Sequence, residues 1–345
     1  MKITQATIFP LSIPLVEPIK MSREFVRDAK TVLLCLTDEE GREGWGEASV
    51  APLMTGETLD SLLGSVKYLV EVAKSCEWGD PKDFADIFSG ILYGNASAKS
   101  CIEMALLDLF TKRRSIPLWK YLRAENNLSH LPDPQPIPLL RMLGGSPEKE
   151  VADAKEYRAQ GFKHWKIKIG SLSLAEDLKR VAMLSDLLAG DVISVDANCA
   201  LNLQDAIRFC ESSEASALSF AEQLIPADLA LEDFVLLKQK SRIPIGLDES
   251  IHGMSGIKEF IEAKAFDGAS LKLITPKAGS MAIWLWSSPP ARAQVTFSLA
   301  SRVVTAVWFS LTVRPEALAP APPLGPVIKG AVSSTSATVT VMVWR

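Results

Sequence analysis

The feature that most constrains the fold is a repeat, beginning near residue 137, in which short apolar segments alternate with longer amphipathic ones. Strands that alternate with helices in this way form βαβ units with a parallel sheet. Six units of about 25–30 residues favour a barrel of the (β/α)8 type. A dinucleotide-binding sheet is a weaker interpretation, because no Gly-x-Gly-x-x-Gly segment follows a predicted strand. The predicted strands are 137–142, 164–169, 192–196, 217–221, 244–247 and 269–274, and the predicted helices are 147–160, 174–189, 203–213, 229–240 and 254–264.

The residues before this repeat have the pattern of an α+β unit. Strands are predicted at 1–14, 30–37 and 43–49, and helices at 57–75 and 97–113. A proline-rich segment at 131–136 is typical of a domain boundary. We therefore predict an α+β domain over residues 1–130 and a barrel domain over residues 131–280.

Composition favours an enzyme that acts on a small molecule. The chain has 37 basic and 41 acidic residues, so no basic surface for nucleic acid is expected. No apolar run of about 18 residues indicates a membrane span, and the N-terminal segment lacks the pattern of a signal peptide. The five cysteines are scattered without a Cys-x-x-Cys spacing. This distribution favours reduced thiols in a cytoplasmic protein.

Charged residues recur where the predicted barrel strands end. Successive intervals from Lys166 are 30, 26, 26 and 24 residues, close to one position per strand–helix unit. Because the carboxyl ends of barrel strands form one active-site face, these side chains are expected to converge. Singly, each has an ordinary explanation as a helix cap or a solvated charge, but that explanation is poor for a set in register. The set is Lys166, Lys168, Asp196, Glu222, Asp248 and Lys272.

The residue types indicate metal-assisted proton transfer. Three carboxylates without histidine or cysteine suit a hard cation such as Mg²⁺. Lys166 and Lys168 are two residues apart, so both are expected to face the barrel interior. Two ammonium groups near each other and near a cation are expected to lower each other's pKa, which would make one a general base near neutral pH. Lys272 is expected to face the same centre from the opposite side.

These motifs resemble the enolase superfamily, in its muconate-lactonising subgroup of muconate cycloisomerases and dipeptide epimerases. The resemblance covers roughly residues 1–280, and it rests on the Lys-Ile-Lys strand end, the three carboxylates, the Leu-Lys-Leu segment around Lys272 and the Gly44–Ala48 segment. It implies an α/β fold, a barrel of the (β/α)7β form with an N-terminal α+β capping domain. It also implies a homo-oligomer.

The resemblance assigns a role to each site residue. Asp196, Glu222 and Asp248 would bind Mg²⁺, with Mn²⁺ as an alternative, and Asn198 and Glu249 would support them. Lys168 would be the base on one face of the substrate, Lys272 the acid or base on the other, and Lys166 would hold the substrate carboxylate. Two capping-domain loops would contact the substrate through Lys20, Met21, Met54 and Thr55. For Thr55 the alternative is a purely structural role as the cap of a helix.

The implied reaction begins with removal of the α-proton of a carboxylate substrate, which gives an enediolate. Racemisation or epimerisation of an amino-acid derivative or dipeptide could follow, as could cycloisomerisation of a muconate-like acid. A dehydratase acting on a hydroxy acid uses the same intermediate and stays open, as does a catalytically impaired family member.

Residues 281–345 depart from this pattern. They contain six charged residues, of which Glu316 is the only acidic one, and seven of the 21 prolines. This composition is typical of a shifted reading frame, and we expect an irregular or incomplete end to the barrel. Within the segment, 332–344 alternates weakly like a strand.

Overall fold

The computed structural model describes residues 1–20, 25–79, 84–125, 129, 138–251, 254–271, 293–299 and 337–343. Its first unit is a three-stranded antiparallel sheet with the strands in sequence order. The strands are β1 (Ile3–Lys20), β2 (Phe25–Asp38) and β3 (Glu43–Ser49). The helices that accompany this sheet are α1 (Pro52–Thr55), α2 (Leu59–Ser75), α3 (Phe84–Ile91), α4 (Ala96–Arg113) and α5 (Leu118–Glu125).

Two glycines explain how closely this sheet and α4 pack. A Cβ atom at Gly44 would collide with the backbone of Ala105, and one at Gly46 with the carbonyl of Cys101. A side chain at either position would push the helix away from the strand. The Gly-Trp-Gly part of the Gly44–Ala48 segment is therefore a packing device of the α+β unit.

The second unit is a sheet that begins with six parallel strands. They are β4 (Leu140–Leu143), β5 (His164–Lys168), β6 (Val192–Asp196), β7 (Phe220–Glu222), β8 (Ile245–Leu247) and β9 (Gly268–Leu271). Between them lie α6 (Pro147–Ala159), α7 (Leu174–Leu187), α8 (Leu203–Glu211), α9 (Leu231–Lys240) and α10 (Met254–Glu262). Within the described residues between 138 and 271, the predicted strands and helices are confirmed to within a few residues at each end.

The hydrophobic core of this unit separates the two sides of the strands. Trp165 and Ile167 are fully buried in the core that the strands share with the helices. Lys166, between them, points to the other side, where it meets Glu222. This period-two alternation places the lysines inside the barrel, as predicted.

The sheet continues with two strands from the compositionally unusual segment. Strand β10 (Ala293–Leu299) pairs parallel to β9, and β11 (Ala337–Val343) pairs antiparallel to β10. The strand predicted at 332–344 is thus confirmed for residues 337–343, and the rest of that range lies outside the described residues. Strand β11 also lies near β4. Among the described residues no hydrogen-bonded ladder joins these two strands, so the barrel is not closed.

The predicted α/β architecture, a barrel-type sheet with an N-terminal α+β unit, is confirmed. The irregular barrel end is confirmed as well, because the eighth strand is antiparallel. The domain boundary predicted near residue 131 lies outside the described residues. In the part of the chain that the structure describes, no helix is both long enough and apolar enough to cross a membrane.

Candidate active site

The strand register brings the predicted site residues to one edge of the sheet. Lys168 pairs with Asp196 across β5 and β6, and Asp196 pairs with Glu222 across β6 and β7. Asp248 follows directly after β8. All three carboxylates are buried, with 1–6% of each residue exposed. The parallel arrangement therefore gathers acidic groups that lie up to 52 residues apart in the sequence.

Each of the two lysines is paired with one of these carboxylates. Lys166 Nζ donates to Glu222 Oε2 at 2.6 Å, and Lys168 Nζ donates to Asp196 Oδ2 at the same distance. The Lys166 side chain is buried, whereas 29% of the Lys168 side chain is exposed. Lys168 is therefore the more accessible of the two amines.

Burial and charge act against each other on these groups. Burial alone would lower the pKa of Lys166, but the carboxylates of Glu222 and Asp196 outweigh it and raise that pKa. For Glu222, burial and the charges of Asp196 and Asp248 together raise the pKa, although Lys166 lowers it. Burial would also raise the pKa of Asp196, but the charges of Lys168 and Lys166 and two hydrogen bonds lower it. The protein's own charges therefore raise the pKa of Lys166, and a lowering of this pKa beside a bound cation stays a prediction.

Asn198 links Lys168 to the neighbouring strand ends. Its Oδ1 accepts from Lys168 Nζ at 2.6 Å, and its Nδ2 donates to Glu249 Oε1 at 3.0 Å. Its backbone N–H donates to Asp196 Oδ1 at 2.9 Å. The residue has a φ of +45°, in a region that asparagine tolerates better than most side chains. Asn198 thus bonds Lys168, Asp196 and Glu249, and the supporting role of Asn198 and Glu249 stays a prediction.

A buried amide that no sequence pattern singled out connects the ends of β7 and β8. Gln223 Oε1 accepts from the backbone N–H groups of Asp248 and Ser250, at 2.9 and 3.1 Å. Its Nε2 donates to Ser250 Oγ and to the carbonyl of Ile225. Gln223 therefore fixes the backbone on which Asp248 stands. A polar amide directly after a strand-end carboxylate is the only sequence signal for it.

The residue types at this edge of the sheet suit a divalent cation in their chemistry. The donors are all carboxylate oxygens, which suits Mg²⁺, and they are buried at adjacent strand ends. Within the described ranges, no three acidic, histidine or cysteine side chains are gathered tightly enough to hold a metal as they stand. Two of the three carboxylates instead face ammonium groups. A cation at this edge therefore competes with two ion pairs.

The structure describes the remaining predicted residues in part. Lys272 and Met21 lie outside the described residues, and only the backbone is described for Lys20, at the end of β1, and for Met54, in α1. Thr55 is half-buried and bonds the Ala51 carbonyl and Ser97 Oγ. Its substrate contact stays a prediction.

The alternative of Thr55 as a helix cap is wrong. Helix α1 ends at Thr55, because Gly56 follows with a left-handed φ of +75°. The N-cap of α2 is Thr58, which forms a capping box with Ser61. The helix predicted from residue 57 consequently begins at Leu59.

Taken together, the fold and the site define a β/α barrel protein with carboxylates and lysines at its strand ends. Residues 3–122 match the family Mandelate racemase / muconate lactonizing enzyme, N-terminal domain, and residues 149–279 match Enolase C-terminal domain-like. The chain belongs to the enolase superfamily, in its muconate-lactonising subgroup. The expectation of an isomerase of this type is confirmed by the relatives that follow.

The named relatives are enzymes of related activities. The chain is 28% identical to the L-Ala-D/L-Glu epimerase of Bacillus subtilis over 81% of this chain and 75% of that protein. It is also 28% identical to the D-Ala-D/L-Ala epimerase of Cytophaga hutchinsonii, over 79% and 72%. The structure of muconate lactonizing enzyme from Pseudomonas fluorescens with muconolactone superposes with a TM-score of 0.71 at 25% identity, covering 80% and 75%.

Proposed function

We propose that the chain is a magnesium-dependent epimerase or racemase that moves the α-proton of a carboxylate substrate, with a dipeptide as the preferred substrate class. The observation that carries the proposal is the pairing of two lysines with two buried carboxylates at one edge of a parallel sheet. The similarity to dipeptide epimerases supports the substrate class.

Asp196, Glu222 and Asp248 are the proposed holders of Mg²⁺, for which Mn²⁺ can substitute. When bound, the ion supplies electrostatic stabilisation of the charge that develops on the substrate carboxylate. A solved relative, the Cytophaga hutchinsonii dipeptide epimerase, is described as complexed with Mg and D-Ala-L-Val. Lys166, buried beside Glu222, is proposed to share in neutralising that charge.

Lys168 is the proposed base. Its amine is the more exposed of the pair and hydrogen-bonds Asn198 Oδ1 and Asp196 Oδ2, which fix its position. Once its own proton has passed to solvent water, the neutral amine removes the α-proton from one face of the substrate. Lys272 follows directly after β9, which is four strands from β5 in the sheet. We propose that it delivers a proton to the opposite face, which inverts the α-carbon.

Exchange of the α-proton with solvent tests the proposal. L-Ala-L-Glu and L-Ala-D-Glu would be incubated separately with the full chain in deuterated water, with Mg²⁺ or with a chelator. We expect metal-dependent deuterium incorporation into both epimers. Lys168→Ala should abolish exchange of one epimer while it spares part of the other, and Lys272→Ala should show the mirror result. Equal loss or equal retention of both epimers in both variants would show that the two-base assignment is wrong.

A matched control separates this effect from a general loss of lysine. Lys155 on α6 is exposed, so Lys155→Ala should leave both exchange rates unchanged. Cycloisomerisation of a muconate-like acid and dehydration of a hydroxy acid pass through the same enediolate, so proton exchange alone does not separate them from epimerisation. Analysis of the products does. Because the chain is also 26% identical to the o-succinylbenzoate synthase of Bacillus subtilis, substrates of both alternative reactions are included in the screen. Absence of exchange with every acid tested would favour an impaired family member.

We further propose that the protein acts in the cytoplasm as a homo-oligomer, without nucleic acid or membrane partners. Free cysteines at all five positions and a net charge of −4 are compatible with this proposal. Sedimentation analysis of the purified chain would measure the oligomeric state.

A further inference from the structure

Three charged residues form a buried cluster on the helix side of β5. Glu150 lies on α6, and Asp177 and Arg180 lie on α7, with at most 7% of any of them exposed. Arg180 Nη1 donates to Asp177 Oδ1 at 2.8 Å, and Arg180 Nε is 2.8 Å from Glu150 Oε2. None of the three belongs to the set of strand-end carboxylates and lysines described above.

The cluster hydrogen-bonds backbone groups at the point where β5 ends. Arg180 Nη2 donates to the carbonyl oxygen of Lys168, and Asp177 Oδ2 accepts from the backbone N–H of Gly170 at 2.7 Å. Gly170 has a φ of +86°, and a Cβ atom there would collide with Ala200. On the other side, the Ile169 N–H donates to the Asp196 carbonyl at 3.0 Å. The segment that carries the Lys168 side chain is therefore held from both sides.

Stability of the fold does not by itself account for these charges. Two carboxylates share one guanidinium group away from water, and replacing such a buried ion cluster with apolar groups is often neutral or stabilising. Burial raises the pKa of Glu150 to about 7, although Arg180 opposes the shift. The planar guanidinium does offer what an apolar group cannot, namely donors in fixed directions toward a carbonyl and two carboxylates.

We propose that Arg180, held by Asp177 and Glu150, is a positioning group for Lys168. The hydrogen bond to the Lys168 carbonyl sets where its Cα lies and so where its amine meets the substrate. A displacement of about 1 Å at a reacting group can lower a rate by about a hundredfold. The inference rests on the proposed function. It adds that disturbing the cluster impairs the face served by Lys168 more than the face served by Lys272.

The exchange assay with separate epimers tests this face selectivity. We expect Arg180→Met to slow exchange of the epimer that depends on Lys168 by about tenfold or more relative to the other. Arg180→Lys should restore part of that ratio, because a lysine can still donate to the carbonyl. Arg158→Met is the matched control. Arg158 likewise bonds two backbone carbonyls, those of Leu187 and Ala189, but not in β5. It should leave the ratio at the wild-type value.

A second measurement does not depend on turnover. Competitive acetylation with acetic anhydride, followed by mass spectrometry, reports the reactivity of Lys168 relative to exposed Lys155. We expect Lys168 labelling to rise in Arg180→Met but not in Arg158→Met, because the contacts to Asp196 and Asn198 loosen. Should Arg180→Met not fold, Glu150→Gln serves in its place, since it removes the ion pair at nearly constant volume.

The two readouts keep the two proposals distinguishable. A wild type without exchange would refute the proposed function, while altered Lys168 labelling would still support positioning by Arg180. An unchanged face ratio or unchanged Lys168 labelling in a folded cluster variant would overturn the inference. So would equal slowing of both epimers, which indicates general destabilisation.

Discussion

Replacing Gln223 by leucine tests the buried amide that connects β7 to the segment after β8. The change leaves the backbone N–H groups of Asp248 and Ser250 without their acceptor. An unpaired buried donor costs about 1–3 kcal/mol, so the two contribute about 2–6 kcal/mol. Burial of the apolar leucine side chain offsets about 1–2 kcal/mol of this loss in the free energy of unfolding. We expect a net loss of about 3 kcal/mol in the free energy of unfolding, a large part of a typical domain's stability.

Urea unfolding followed by tryptophan fluorescence would measure this loss. The control is Gln160→Leu, because Gln160 is exposed and its side chain donates to Glu156 Oε1 one helix turn away. Its effect should stay within about 0.5 kcal/mol. Because the amide orients Asp248, Gln223→Leu should also weaken Mn²⁺ binding measured by electron paramagnetic resonance. A Gln223→Leu protein that is as stable as Gln160→Leu, with unchanged Mn²⁺ affinity, would refute the reasoning.

Three further predictions concern the metal, the pH and the chain end. Removing the charge of any one proposed metal ligand should weaken Mg²⁺ binding, measured by calorimetry, and lower turnover by orders of magnitude. The variants are Asp196→Asn, Glu222→Gln and Asp248→Asn. Full activity after chelation would contradict this prediction. Burial raises the pKa of Glu150 in the folded protein to about 7. Protonation of Glu150 therefore adds fully to the free energy of unfolding below about pH 4.5, and this contribution is lost as pH rises through 7. The stability difference between wild type and Glu150→Gln should therefore shift against the wild type across this window in urea titrations, and a constant difference would exclude the linkage. Because the barrel is not closed, the full chain with residues 281–345 should melt at low temperature or aggregate in scanning calorimetry. A cooperatively melting monomer with ordinary turnover would count against this prediction.

The local periodicity of the sequence determined much of the fold. Strands and helices between residues 137 and 274 follow from alternation and amphipathic spacing, which are short-range properties. The site followed from topology, because parallel strands place their carboxyl ends at one edge whatever lies between them. For this reason Asp196, Glu222 and Lys168 could be expected to meet although helices separate them in the chain.

Tertiary structure decided what depends on distant partners. The hydrogen bonds of Gln223 to the Asp248 segment and of Arg180 to the Lys168 carbonyl involve backbone groups, which carry no residue-specific signal in the sequence. The raised pKa of Lys166 depends on how many carboxylates surround it once it is buried. The antiparallel direction of β11 depends on the neighbour it pairs with. Hydrogen bonds and electrostatic balance of this kind exist only after folding brings the groups together, so no local pattern encodes them.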